Sequence, residues 1–204
     1  MKDERETRKK LLASAKKEFL EKGYASASLR SICKQAEVTT GALYFFFKDK
    51  ADLFAALVDA PLSKLYQAMM DHYEEEASTP PQMLPDNLTE SRDFQAALQI
   101  IRYMYQYYDE CQLVLTKSQG SGYEAYVDRL VEITQKHYRA LSDRYCQIFQ
   151  QPPLEDYTVH WMAHMHIDIF VHMITHEPDV DAACRYMEPM IRYLSAGFFG
   201  MFKV

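Results

Sequence analysis

GYASASLRSICKQAEVTTGALYFFFKDK, residues 23–50, reads as two short helices joined by a tight corner. Ser28 is a good N-cap, and Leu29, Ile32, Cys33 and Ala36 follow it at helical spacing, which gives one apolar face. Glu37 and Val38 make the corner, with Val38 as its apolar plug. Such a corner commonly needs a residue with positive φ, and Glu37 occupies that place. Thr39 or Thr40 caps the second helix, in which Leu43 and Phe47 point inward and Thr40, Gly41, Ala42 and Tyr44 point outward. Lys48 and Lys50 follow at its C-terminal end, where cations suit both the helix dipole and a phosphate backbone. Two helices joined in this way form the unit that lays a recognition helix in the DNA major groove.

Working outward, the preceding helix is expected over about residues 4–22, with Leu12, Ala15 and Phe19 on its inner face and Gly23 as the C′ glycine. A fourth helix, about 50–76, carries Leu53, Phe54, Leu57, Val58, Leu65 and Met69, and Pro61 is expected to kink it. Ala77–Glu90, with Pro80, Pro81 and Pro85, is the first clear linker. Helices near 91–108, 110–118, 122–150, 154–177 and 181–203 complete a set of nine with no convincing strand. The helix over 122–150 is expected to bury Tyr126, Leu130, Ile133, His137, Leu141, Tyr145 and Ile148, and Pro152–Pro153 to end it.

The order G-Y-x-x-x-S-L-R-x-I, then A-x-V-T-T-G-A-L-Y-x-x-F-K-D-K-A-D-L-F, resembles the N-terminal domain of tetracycline-repressor-like (TetR-family) regulators. TRKKLLASAKKEFLEKGY before it is similar to that family's first helix. The likeness covers about residues 7–57, and a motif of that length is specific. It implies an all-α protein with an N-terminal three-helix helix-turn-helix DNA-binding domain, residues 1–50. A C-terminal helical ligand-binding and dimerisation domain, 51–204, would follow. By the same resemblance Ser28, Tyr44, Lys48 and Lys50 hold phosphates, while Arg30, Thr40, Gly41 and Ala42 face base edges, with Thr39 beside them at the helix start. The chain departs from the family pattern at Glu37, where glycine is usual, at Ala42, where a hydroxyl residue is common, and at Phe46, where histidine or tyrosine often meets the DNA backbone. Those departures bear on the operator sequence and leave the DNA-binding role in place.

Charge is divided along the chain. The overall net charge is −6, yet residues 1–53 carry 12 Lys/Arg against 8 Asp/Glu, and residues 54–204 carry 11 against 21. A basic head and an acidic body suit a DNA-binding module with a separate sensor. With 204 residues, 48% of them hydrophobic, the chain can build a sizeable core in both parts. No 18-residue apolar run and no signal peptide is evident, so a cytoplasmic protein with no membrane partner is expected. The four cysteines, Cys33, Cys111, Cys146 and Cys184, are far apart and read as buried free thiols.

Three features of the body suggest partners. Trp161, Met162, Met165, Ile169 and Met173 on one terminal helix cover more than a single core-facing stripe. So do Met187, Met190, Ile191, Leu194, Phe198, Phe199 and Phe202 on the other. A homodimer interface is expected there, since reading a palindromic operator needs two heads. Tyr103, Tyr105, Tyr107, Tyr108, Tyr123 and Tyr126, with Phe94, form an aromatic set that reads either as the wall of a small-molecule effector pocket or as core or interface. Asp109, Glu110 or Asp168 could serve a cationic or neutral lipophilic ligand in such a pocket. His160, His164, Asp168, His172 and His176 follow one another at steps of four. Each step overshoots a turn by about 40°, so the row winds around its helix and offers one metal only two neighbouring ligands. The histidines are therefore read as lining either the pocket or the dimer seam; His164, Asp168 and His172 join Tyr103, Tyr107, Tyr123 and Tyr126 as ligand-binding candidates, and no metal or other cofactor is expected.

Enzymatic signatures are missing: there is no GxSxG, no phosphate-cradling glycine loop and no HExxH. The sequence describes a dimeric, ligand-responsive DNA-binding regulator, by family resemblance a repressor. The competing reading from another class is a helical metal-binding protein or metal-dependent enzyme built on residues 160–176.

Overall fold

The computed structural model describes residues 2–79 and 91–202, and among these it contains nine helices and no strand. In chain order they are α1 (Lys2–Ser26), α2 (Leu29–Gln35), α3 (Thr40–Phe46), α4 (Lys50–Ser78), α5 (Arg92–Gln106), α6 (Tyr108–Thr116), α7 (Tyr126–Ile148), α8 (Asp156–His176) and α9 (Val180–Gly200). The linker prolines Pro80, Pro81 and Pro85 lie outside the described residues. Two compact units result, one of residues 1–64 and 107–126, the other of 65–106 and 127–204. α4 continues as one helix through Pro61, and α9 likewise contains Pro189.

In the first unit, Leu11, Ala15 and Phe19 of α1 pack with Ile32 and Cys33 of α2, Leu43 of α3, Phe47, and Leu53, Phe54 and Val58 of α4. Leu113 and Val114 of α6 close the same core. Phe19 and Phe54 meet edge to face at 5.1 Å and are fully buried, so each stabilises the unit by roughly 1.5–3 kcal/mol. Gly23 breaks α1 as expected, with φ 74, and a further short turn reaches Ser26. The Tyr24 amide then donates to the Lys117 carbonyl at 2.8 Å, tying α1 to the end of α6.

The corner between α2 and α3 shows why a positive φ falls at Glu37, whose φ is 57. The Glu37 amide donates to the Lys34 carbonyl at 3.3 Å and the Val38 amide to the Cys33 carbonyl at 3.0 Å. This crossed pair is the Schellman end of a helix, which places its C′ residue in the left-handed region. Gln150, with φ 53, ends α7 in the same way: its amide donates to the Gln147 carbonyl at 3.3 Å and the Gln151 amide to the Cys146 carbonyl at 2.9 Å. That ending precedes Pro152 and was not read from the sequence.

In the second unit, Phe94, Ala97 and Ile101 of α5 pack against Met173 of α8 and Ala183, Met187 and Ile191 of α9. A further cluster joins Tyr145 and Cys146 of α7 with Met162 of α8, Phe198 of α9 and Phe202. Leu130, Val131, Thr134, Ser142, Tyr145 and Cys146 form the buried face of α7. Ile148, expected inside, is exposed, because the stripe turns away from it over the last turn. No helix among the described residues is long and apolar enough to cross a membrane.

Candidate functional site

The reading surface is built by two N-caps. The Ser28 hydroxyl accepts from the Ser31 amide at 3.4 Å and starts α2. The Thr39 hydroxyl accepts from the Ala42 amide at 3.1 Å and starts α3, which settles Thr39 over Thr40 as the cap. With Leu43 buried beneath, α3 turns Thr40, Gly41 and Tyr44 to solvent; Ala42 is half-buried. Ser28, Arg30, Thr39 and Lys48 are exposed as well. Phe45, 72% exposed, stands beside Tyr44 at 58%, an aromatic pair on the outer face that the sequence reading did not single out.

Lys50 is placed differently from Lys48. Its ammonium donates to the carbonyls of Tyr24 at 2.8 Å, Ala25 at 3.2 Å and Ala27 at 3.2 Å, and lies 4.6 Å from the Tyr24 ring centre. Those carbonyls follow the break at Gly23 and lack the next helical turn, so the cation serves as their cap. This placement makes Lys50 a tie within the head, in place of the phosphate contact expected of it. Lys48 keeps its side chain exposed, while its amide donates to Asp52 at 2.8 Å and the Asp52 amide to Asp49 at 2.8 Å, capping α4.

Glu18 is a second tie that the sequence reading missed. It is fully buried on α1. One carboxylate oxygen accepts from Lys22 at 2.8 Å and the Ser28 amide at 3.2 Å, the other from Ser31 at 2.8 Å and Gln35 at 3.0 Å. Burial pushes its carboxyl up, but the bonds from Lys22, Ser31 and Ser28 outweigh that and hold it below the ordinary value. The only available hint in sequence was a carboxylate one residue before Phe19 on the inner face.

The residues expected around a ligand are divided between the two units. Tyr107, Tyr123 and Tyr126 belong to the first unit, while Tyr103, His164, Asp168 and His172 belong to the second. Tyr123 packs on Phe54 and donates its hydroxyl to Asp59, and the Tyr126 hydroxyl reaches the Leu62 carbonyl at 3.4 Å. Asp109 and Glu110 face Lys16 of α1 at 3.6 and 2.8 Å, an ion pair that ties α6 to α1. Asp168 and His172 are exposed. Along α8, His160 bonds Gln135 at 2.9 Å, His164 meets His160 edge to face at 4.6 Å, and His172 and His176 stack at 4.1 Å. The winding of the row leaves it without a gathered ligand set.

A polar cluster instead forms inside the second unit, where α4, α5, α7 and α8 contribute. His137 Nε2 lies 2.9 Å from Glu76 Oε2, and the His137 ring stacks on Tyr73 at 4.0 Å. The Tyr73 and Thr134 hydroxyls share a 2.9 Å hydrogen bond, and the Tyr138 hydroxyl bonds His166 Nδ1 at 2.9 Å. His72 Nε2 lies 3.8 Å from Asp93 Oδ1. Burial pushes His166 down to about 4, aided by the charges of His137 and His72, so its imidazole is neutral at physiological pH. Burial likewise raises Tyr73 to about 12. Glu76 is pulled up by burial, but its bond to His137 wins and holds it below the ordinary range; Asp93 is raised by burial and by the charge of Glu76. The sequence reading overlooked His72 and Glu76 because they lie one turn apart on a helix read only for its apolar stripe.

Residues 11–57 match the bacterial regulatory proteins of the tetR family. The transcriptional regulator AcrR of Shigella flexneri is 31% identical over 65% of this chain and 64% of its own length. The transcriptional repressor BepR of Brucella suis is 43% identical over 26% of this chain and 25% of its own. Each of these alignments spans less than two thirds of the relative's length. Among solved structures, a TerR/AcrR-family transcriptional regulator from Aquifex aeolicus superposes with a TM-score of 0.60 at 15% identity, over 92% of this chain and 99% of that one. NalD of Pseudomonas aeruginosa, the secondary repressor of the MexAB-OprM multidrug efflux pump, does so at 0.59 with 20% identity, over 94% and 97%. At those identities the likeness speaks for the fold. The sequence match identifies residues 11–57 as the helix-turn-helix domain of the tetR family of bacterial regulatory proteins, and the likeness in fold extends over the rest of the chain.

Proposed function

We propose that this protein is a homodimeric transcriptional repressor in the cytoplasm that binds a palindromic operator and releases it when a small lipophilic molecule occupies the second unit. The observation that carries the DNA-binding part is the outward face of α3, where Thr40, Gly41, Tyr44 and Phe45 stand exposed above a fully buried Leu43. Arg30 at the start of α2 can form a bidentate bond with a guanine edge, and Ser28, Thr39, Tyr44 and Lys48 can position the backbone, with Ala42 close to the bases. Residues 1–50 thus act as the reading head and 51–204 as the sensing and dimerising part. Repression is supported by the names of BepR and NalD, both repressors.

Dimerisation is supported by exposed apolar side chains on the last two helices. Met162, Met173, Met187, Ile191, Phe198 and Phe202, expected at an interface, are buried within their own unit. Trp161 at 55% and Met165 at 39% remain exposed on α8, with Tyr157, and Tyr186 and Tyr193 remain so on α9. Two heads would meet successive major grooves about 34–36 Å apart. For the effector, Tyr138 and His166 of the second unit offer ring faces with polar tips, the chemistry that holds a lipophilic molecule. An effector releases the operator only if it binds the released form more tightly.

Fluorescence anisotropy with duplex DNA flanking the gene, titrated at several salt concentrations, tests the reading. Sequence-preferring binding with a steep salt slope supports it. Equal affinity for flanking and random DNA refutes operator recognition.

A further inference from the structure

We propose that the second unit binds a divalent first-row transition cation, such as zinc, between α4 and α5, through His72, Glu76 and Asp93 with His137 as a fourth donor. One ligand atom from each of His72, Glu76 and Asp93 lies within 4.8 Å of the other two. Ligands at about 2.1 Å around a tetrahedral ion are about 3.4 Å from one another, so small side-chain movements bring the set onto one ion. The 3.8 Å between His72 Nε2 and Asp93 Oδ1 is already near that spacing, and His137 Nε2, 2.9 Å from Glu76 Oε2, is a further nitrogen donor beside the three. His72 and Glu76 are separated by four residues on α4, which points both along the same helix face.

Charge and surroundings favour the same occupant. Among the described residues, no Lys or Arg side chain lies within ion-pair distance of Glu76 or Asp93; imidazoles are their partners there. Arg92, beside Asp93, is directed to Glu75 at 3.2 Å and Thr79 at 3.1 Å, and Arg144 donates to backbone carbonyls of Glu76, Ala77 and Thr79. Two carboxylates and two imidazoles form a nitrogen–oxygen donor set that suits zinc, iron, nickel or manganese better than the soft cations that require thiolates. The side chains of His137, His72 and Glu76 are 11%, 19% and 28% exposed, while that of Asp93 is 53% exposed, which leaves an entry path on the α5 side. Behind the donors, the Tyr73 ring stacked on His137 and the Tyr73–Thr134 bond hold the imidazole in orientation, as outer partners do in metal centres.

This site differs from the α8 histidine row and does not depend on DNA recognition. The test uses the full chain, purified without a metal-affinity column and stripped with chelator. Cobalt absorption spectra and calorimetric zinc titration are recorded for the parent protein, for His72→Ala, for Asp93→Asn, and for the α8 control His164→Ala/His172→Ala. One ion per chain is expected, with affinity lowered at least about tenfold in each of the first two variants and unchanged in the α8 control. Circular dichroism in chelator checks that the variants retain their helix content, and cobalt d–d bands in the parent report ligation directly. No saturable binding by the parent overturns the proposal, as does binding that His72→Ala and Asp93→Asn leave intact or that the α8 control loses.

Discussion

Glu18→Ala is the substitution that most directly tests how the reading head is held together. It removes a fully buried carboxylate that accepts four hydrogen bonds and links α1 to the start of α2. The Ser28 amide would be left unpaired in a part-buried position, and bonds to a charged group contribute about 1.5–3 kcal/mol each before non-additivity. The side chains of Lys22, Ser31 and Gln35 can rehydrate, so the losses do not sum, and about 3–5 kcal/mol is expected in all. At about 2–4 °C per kcal/mol for a chain of this size, the melting transition should fall by roughly 6–20 °C. Glu18→Gln keeps the shape but turns an amide donor toward Gln35, and should cost about 1–2 kcal/mol. The pH dependence follows from the carboxyl being held below its ordinary value of 4.5. The stabilisation is present above that value and is lost as pH falls through the lower folded value, so the parent should lose it in acid and Glu18→Gln should show a flatter profile. The assay is thermal unfolding by circular dichroism from pH 7 down to pH 3. An Ala variant melting within about 2 °C of the parent at pH 7 would show that the carboxylate is not what fixes α2.

Three further outcomes are expected. Glu37→Gly should raise the melting temperature by about 2–4 °C, because glycine relieves roughly 1 kcal/mol at the left-handed corner, and anisotropy should show DNA binding retained. Arg30→Ala should cost about 1–3 kcal/mol on the operator and relax preference at one base pair, whereas Lys48→Ala should weaken all duplexes alike and reduce the salt slope by about one. An unchanged ratio of operator to random DNA in Arg30→Ala would leave Arg30 as a phosphate contact or a bystander. Lys50→Met should lower the melting temperature and leave the salt slope unaltered, since its ammonium is bonded to three carbonyls; a reduced slope would return Lys50 to the DNA.

Much of the head was determined by the sequence alone, because it is made of local signals. Ser28 and Thr39 act as caps through bonds to residues three positions on, and Glu37 takes its positive φ from bonds within its own turn. Inward Leu43 and outward Thr40 follow from helical period, which needs no knowledge of the partner surface. Tertiary structure decided whatever depended on residues far apart in the chain. Lys50 reads as a phosphate contact until it is seen 2.8 Å from the Tyr24 carbonyl, and Glu18 stands out only once four donors are seen around it. The tyrosines followed the same rule: a shared aromatic composition could not tell that Tyr123 and Tyr126 pack with α4 in one unit while Tyr103 lies in the other. His72, Glu76, Asp93 and His137 come from three helices, and their convergence is invisible to spacing along any one of them. Local hydrogen bonds and periodicity are written in neighbouring residues, whereas a buried charge and its partners meet only when the helices pack.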